Sequence, residues 1–291
     1  MAAICSAVIA VALVGCGETS HPAATVNGQQ ISMADYSRWF AYTCSQAADS
    51  FQGADICGSG KSDPSGLRHK MQTTALNTLI DEELVRQYAA KHHISIPSSQ
   101  LNAQWQTVYL SKFHRDMPYL KAYAKARGLT ANDIKNLVFF DMLQQRVLYD
   151  VTKNMPVRVP ATHIAQVAAT SLQDAQQIRA RIAHGAPFMQ VARLEAANSK
   201  SPCAQVGCGD LGWLPDAFLP AAEKQVATSP ANSLVGPFPI QNGAILILVE
   251  QHDPAYLLNA KQQYAMRQQV IFPHWLAQQE RKADVHRYVA T

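Results

Sequence analysis

The body of the chain contains no apolar run long enough to cross a bilayer. It contains no Lys/Arg run interleaved with aromatics, and the formal net charge is only +4, so nucleic acid is not an expected partner. Neither close pair of cysteines has CxxC spacing or a nearby histidine, which argues against a zinc site. No metal or other cofactor is expected, and no internal repeat is found. What remains is a chain of 291 residues, 48% of them hydrophobic. That is enough for real cores, and the length suits two modest domains better than one.

The first residues differ from the rest. From Ala2 to Gly15 nothing is charged, and Val8 to Val14 is wholly apolar. Such a run has the length of a signal-peptide h-region and is too short for a membrane span. It ends in Leu13-Val14-Gly15-Cys16, followed by Gly17, Glu18, Thr19 and Ser20. This resembles the lipobox of bacterial lipoproteins, although no Lys or Arg precedes the apolar run. The resemblance implies a signal peptide over residues 1–16, lipidation of Cys16 and a tether over 17–24. The mature protein would then be exported and lipid-anchored on the extracytoplasmic side of a bacterial membrane, in the periplasm or at the cell surface. An ordinary signal peptide with an incidental Cys16 is the alternative.

Six cysteines are present, and Cys5 and Cys16 fall in this leader. The remaining four pair by proximity as Cys44 with Cys57 and Cys203 with Cys208. Each pair would close a short loop rich in Gly, Ser or Pro. Two disulfides suit an oxidising compartment; metal binding is the alternative.

Asn27-Gly28 lies between two short strand-like runs, a hairpin signal. Ser32 with Asp35 predicts a helix start, and Tyr36, Trp39, Phe40 and Tyr42 follow; at helical spacing they read as core, or as the wall of a groove. Gln52 to Gly66 reads as a loop. Leu76, Leu79, Ile80, Leu84 and Tyr88 form one apolar stripe on a helix over 67–92, so His92-His93 reads as its terminus rather than as a metal site. Further helices are predicted from Ser98 or Ser99, over 118–127, and from the Thr130/Asp133 cap. At Pro156 the pattern changes. Residues 157–167 read as a strand, Ser171 with Asp174 caps a helix, and 187–196 is a second helix. Residues 198–209 are a loop. A strand at 209–213, a short helix over 218–226 and strands at 235–238 and 244–250 complete an α+β unit of order βααβαββ. Residues 256–282 read as a helix bent at Pro273, and 284–289 as a last strand.

Four pieces of the second unit resemble the parvulin (PpiC-type) peptidyl-prolyl isomerase family, in the family's order. They are Ala161-Thr162-His163-Ile164, Ile182 to Phe188, Gly209-Asp210-Leu211-Gly212-Trp213, and Gly236-Pro237 with Gly243. The flanks, with Val26-Asn27-Gly28, Leu79 to Leu84 and Trp275 to Val289, are similar to the chaperone module of SurA- and PrsA-type folding factors. The resemblance implies a parvulin-like domain over 157–252, a four-stranded sheet with helices. It is inserted in a mainly helical chaperone module formed by 25–156 and 253–291.

The family's roles, taken position by position, imply His163 and Ser201 as the polar, catalytic groups. They imply Leu211, Phe218, Ala222 and Ile245 as the proline pocket. Ile245 stands where the family has a second histidine, so His163 needs another polar partner or is simply a strand histidine. The Cys203/Cys208 pair would stiffen the loop that carries Ser201.

The implied function is a foldase that binds unfolded or nascent exported polypeptides and speeds X-Pro isomerisation, with no fixed protein partner. A holdase without catalysis is the alternative, and a structural envelope lipoprotein is the third reading.

Overall fold

The structure is a computed structural model that describes residues 21–50, 66–198 and 200–289. The signal segment with Cys5, the lipidation candidate Cys16, Cys57 and nearly all of the expected loop from Gln52 lie outside the described residues. In chain order the elements are β1 (Ala24–Val26), β2 (Gln29–Ile31), α1 (Met33–Ser50), α2 (Leu67–Lys91), α3 (Ser98–Phe113), α4 (Met117–Ala126), α5 (Ala131–Thr152) and β3 (Arg158–Ala169). They continue with α6 (Leu172–Ala183), α7 (Phe188–Ala197), α8 (Cys203–Val206), β4 (Gly209–Pro215), β5 (Ser233–Ile240), β6 (Gly243–Leu257), α9 (Ala260–Met266), α10 (Phe272–Lys282) and β7 (Val285–Arg287). The described residues fall into two compact units. One runs to Val147 and resumes at Gln278; the other is Leu148–Ala277.

Local signals build the first unit. Asn27 and Gly28 both have positive φ, as a two-residue type I′ hairpin requires, and they join β1 to β2. The Ser32 hydroxyl accepts from the Asp35 amide at 3.0 Å, opening α1. Thr130 and Asp133 cap α5 reciprocally, at 3.1 and 2.8 Å. Leu76, Ile80 and Leu84 of the α2 stripe are buried against Ala24, Val26, Ile31 and Tyr36. β7 then pairs antiparallel with β1, giving a three-stranded sheet of order β2-β1-β7. Tyr36 is core, while Trp39 and Phe40 pack beside it partly buried.

The second unit is a four-stranded antiparallel sheet of order β4-β3-β6-β5. Side chains alternate between its faces. On one face Ala165, Val167 and Leu246 pack with Ile178 of α6 and Val191 of α7. On the other, Ile164, Ala168, Ile245 and Ile247 pack with Cys203, Leu219 and Val226. Gly243 starts β6 at φ +146°, where an added Cβ would stand 1.9 Å from the Ala169 carbonyl oxygen. Only glycine lets the two strands close there.

Some elements differ from the sequence expectation. Tyr256 lies in β6, which pairs with β3 as far as Leu257, and not in a helix. The following helix starts only at Ala260, behind an Asn259/Gln262 capping box. A π-helical segment, Arg267–Ile271, precedes Pro273, which has no N–H to donate to a preceding carbonyl. The helix expected over 218–226 is instead two 3-10 segments, Asp216–Phe218 and Ala221–Thr228. The expected loop at 198–209 contains α8.

Candidate functional site

β3 carries His163, and antiparallel register sets it opposite Trp213 of β4 and Gln251 of β6. Its ring lies between two carboxylates. Nδ1 is 2.5 Å from Glu250 Oε2, and Nε2 is 3.2 Å from Asp210 Oδ1. Asp210 is itself oriented by the Gly212 amide, which donates to Oδ1 at 2.8 Å. The His163 ring packs on Trp213 at 5.3 Å between centroids, and Trp213 stacks on Tyr256 at the same distance. Ile245 stands opposite Ala168, five residues along β3 from His163, and the two carboxylates flank the ring nitrogens. The His163 side chain is 23% exposed and that of Asp210 54%, so solvent reaches the group.

Thr162, the next residue along β3, is completely buried. Its hydroxyl donates to Asp216 Oδ1 at 2.8 Å and lies 3.1 Å from His252 Nδ1, and His252 Nε2 reaches the Ser229 carbonyl at 2.7 Å. Successive strand residues face opposite ways, so this network and the His163 group lie on different sides of the sheet.

Ser201 sits elsewhere and does different work. It is 7% exposed, and its hydroxyl donates to the Ala168 carbonyl at 3.1 Å. Beyond Gln166 the strand β3 has lost β4 as a neighbour. The loop before β4 covers the gap. Gln166 Nε2 donates to the Val206 and Gly207 carbonyls, and the Ala168 amide meets Cys208 Sγ at 3.1 Å. Cys203 and Cys208 form a disulfide that closes this loop. The arrangement satisfies backbone groups that an open sheet edge would leave bare. Cys44 also takes part in a disulfide.

The four residues expected to form a proline pocket differ widely in exposure. Ile245 is 4% exposed and belongs to the core with Phe238 and Leu219. Phe218 is half-buried, Leu211 is 43% exposed, and Ala222 is at the surface. The core position near Phe218 belongs to Leu219. Sequence reasoning assigned no role to Glu250, Asp210, Thr162, Asp216 or His252. Asp210 lay in plain view inside Gly209-Asp210-Leu211-Gly212-Trp213. Glu250 and His252 could have been found by pairing the strand that carries Thr162-His163 antiparallel with the one that carries Glu250-Gln251-His252.

The first unit holds a cleft of about 280 Å³ between α1, α2 and α5. Trp39, Leu79, Leu137 and Phe140 form its apolar walls, and Asp35, Arg38, Glu82, Arg86 and Asp133 its polar ones. Burial pushes the Glu82 carboxyl up to about 7; Arg86, 3.6 Å away, and a hydrogen bond to Trp39 oppose this, and Asp35 adds to it. Asp81, on the same helix, rises to about 6 by burial and by the charge of Glu280.

These observations define the class: an α+β protein whose four-stranded sheet unit, carrying a carboxylate-flanked histidine, is inserted in sequence into a mainly helical module. Residues 1–148 match the SurA-like N-terminal domain family, and the chain belongs to that family. No curated protein matches it. Among solved structures, it is similar to a PpiC-type peptidyl-prolyl cis-trans isomerase domain, at 27% identity over 34% of this chain and 95% of that one, with a TM-score of 0.28. It is similar to the peptidylprolyl isomerase PrsA from Bacillus anthracis at 17% identity, over 71% of this chain and 95% of that one, with a TM-score of 0.44. A SurA-like chaperone of Campylobacter jejuni is 16% identical over 90% of this chain and 93% of its own, with a TM-score of 0.29. Among the described residues, no helix is long and apolar enough to cross a membrane.

Proposed function

We propose that this protein is an exported, lipid-anchored folding factor that binds unfolded polypeptides and accelerates X-Pro isomerisation at a parvulin-type site. Membership of the SurA-like N-terminal family supports the chaperone half. The isomerase half is supported by the four motif pieces, which lie on β3, α6 with α7, β4 and β5 with β6 of one sheet unit. The observation that carries it is the His163 ring, held by Glu250 and Asp210 beside Trp213 and reachable from solvent.

Rotation about an X-Pro bond is slow because it destroys amide resonance, at a barrier of about 18–20 kcal/mol. A thousandfold acceleration needs only about 4 kcal/mol of that barrier removed. A polar group beside the twisted amide, with an aromatic wall for the proline ring, acts in that direction without a covalent step. In this reading His163, held between Asp210 and Glu250, forms the polar floor, and Trp213 lines the site. Ser201 supports the sheet edge and takes no part in the chemistry.

The test is an X-Pro exchange assay, by NMR or coupled proteolysis, on the protein from residue 17 onward. The expected result is a rate well above background that falls in His163→Ala. The placement of Leu211, Ala222 and Ile245 favours a second reading, a holdase whose sheet unit grips clients without catalysis. No rate above background, with client aggregation still suppressed, would select it.

A further inference from the structure

We infer that His163 and Asp210 form a binding site for a divalent transition metal, of the zinc class, with Glu250 as the carboxylate that orients the imidazole. This site would bind its ion whether or not the sheet unit isomerises X-Pro bonds.

One imidazole gives one nitrogen to a metal, and its other nitrogen keeps a proton and donates it, most often to a carboxylate or a carbonyl. His163 is arranged for that division. Glu250 Oε2 lies 2.5 Å from Nδ1, an ion-pair contact that places this carboxylate on the Nδ1 side of the ring. Nε2, on the Asp210 side, is then the ligand atom. Asp210 Oδ1 lies 3.2 Å from Nε2. That separation is longer than a charge-assisted hydrogen bond, typically about 2.7–2.9 Å. It matches two ligands held tetrahedrally about 2.0–2.1 Å from one zinc ion, which stand about 3.3 Å apart.

Charge and access agree. Two carboxylates flank the ring, and a divalent cation offsets carboxylate charge. The Asp210 side chain is 54% exposed, so an ion can enter and water can complete its shell. The Gly212 amide donates to Asp210 Oδ1 and holds that oxygen in place. The three groups stand on β3, β4 and β6 of one sheet, so backbone pairing sets their spacing before any ion arrives. Imidazole and carboxylate together suit zinc, copper and nickel better than calcium or magnesium. The sequence carries no metal-type spacing here because each group comes from a different strand.

Without a metal, both ring contacts are hydrogen bonds only if the imidazole carries two protons, and His163 is then an ion-pair bridge. The two accounts separate on titrating the full-length protein with Zn(II) alone, by calorimetry and by histidine-ring NMR. The expected result is one saturable site whose binding shifts the His163 ring resonances. His163→Ala should abolish it, Asp210→Asn should weaken it at least about tenfold, and Glu250→Gln should weaken it about 10- to 100-fold. His286 and Asp284 supply the control, since they form a similar but more exposed pair, 3.0 Å apart. The inference is overturned if no saturable binding is seen. It is equally overturned if binding survives in both His163→Ala and Asp210→Asn, or if it is lost in His286→Ala. Should His163→Ala fail to fold, Asp210→Asn and the ring shifts of the unmodified protein still decide.

Discussion

The two units handle buried charge in opposite ways, and one glutamate from each makes the contrast. Glu82, on α2, lies in a cleft with Arg86 at 3.6 Å, and burial pushes its carboxyl up to about 7. Glu250, on β6, lies 2.5 Å from a ring nitrogen of His163. Along a helix, side chains meet at three- and four-residue spacing, and their burial depends on what packs over them. Across a sheet, register joins residues far apart in sequence and sets their separation directly. The helical unit therefore carries an under-compensated charge, while the sheet unit carries a compact ionic group.

The largest effect should come from tightening the sheet. Gly243→Ala drives a Cβ into the Ala169 carbonyl at a φ that L residues avoid. A loss of about 4 kcal/mol or more is expected, read as a shifted urea midpoint or absence of folded protein. A mild effect would mean that the β3–β6 closure yields more easily than the register argument allows.

Core truncation should come next and should not distinguish the units. Leu76 and Ile247 are both completely buried, one on α2 and one on β6. Each change to Ala should cost about 3 kcal/mol, within the usual 2–5 range. A marked inequality would show that one core relaxes around a cavity and the other does not.

Acidification should separate them. The Glu82 pKa is raised from 4.5 to about 7, so the folded state holds the proton more tightly than the unfolded chain. This contribution to stability is fully present below about pH 4.5 and is lost as pH rises through 7. Asp81, raised from 3.8 to about 6, acts with the same sign over a lower window. Between pH 8 and pH 5 the Glu82 contribution should favour folding by on the order of 2 kcal/mol. Thermal melts of Glu82→Gln should lose that slope; an unchanged slope would refute the assignment.

The smallest expected effect is Ser201→Ala. It removes the bond to the Ala168 carbonyl and should cost about 1 kcal/mol by chemical denaturation. A negligible cost would mean that the disulfide-closed loop covers the edge of β3 unaided.

Much of the helical unit was legible. Ser32 and Thr130 announced helix starts, as Ser171 did in the sheet unit, and their hydroxyls accept the expected amide hydrogen bonds. The α2 stripe announced a buried face, and Asn27-Gly28 a hairpin. The sheet unit was legible in outline, since its order and its glycine-marked turns are local. Tyr256 was misplaced because an apolar segment next to a helix does not reveal whether a strand ends before it. The exposure of Leu211, Phe218, Ala222 and Ile245 was not legible, because their grouping came from a family pattern. Which of Phe218 and Leu219 turns inward depends on how a 3-10 segment packs.

The candidate site divides along the same line. By itself the sequence determined that His163 sits on one strand and Asp210 on another, glycine-bounded one. These are short-range properties, set by residue type and spacing. Only the tertiary structure decided that Glu250 and Asp210 take the two ring nitrogens, and that Ser201 faces the backbone. Strand register and the bulges at His163/Ile164 and Ile164/Ala165 select which side chains meet, and that selection is a property of three strands together.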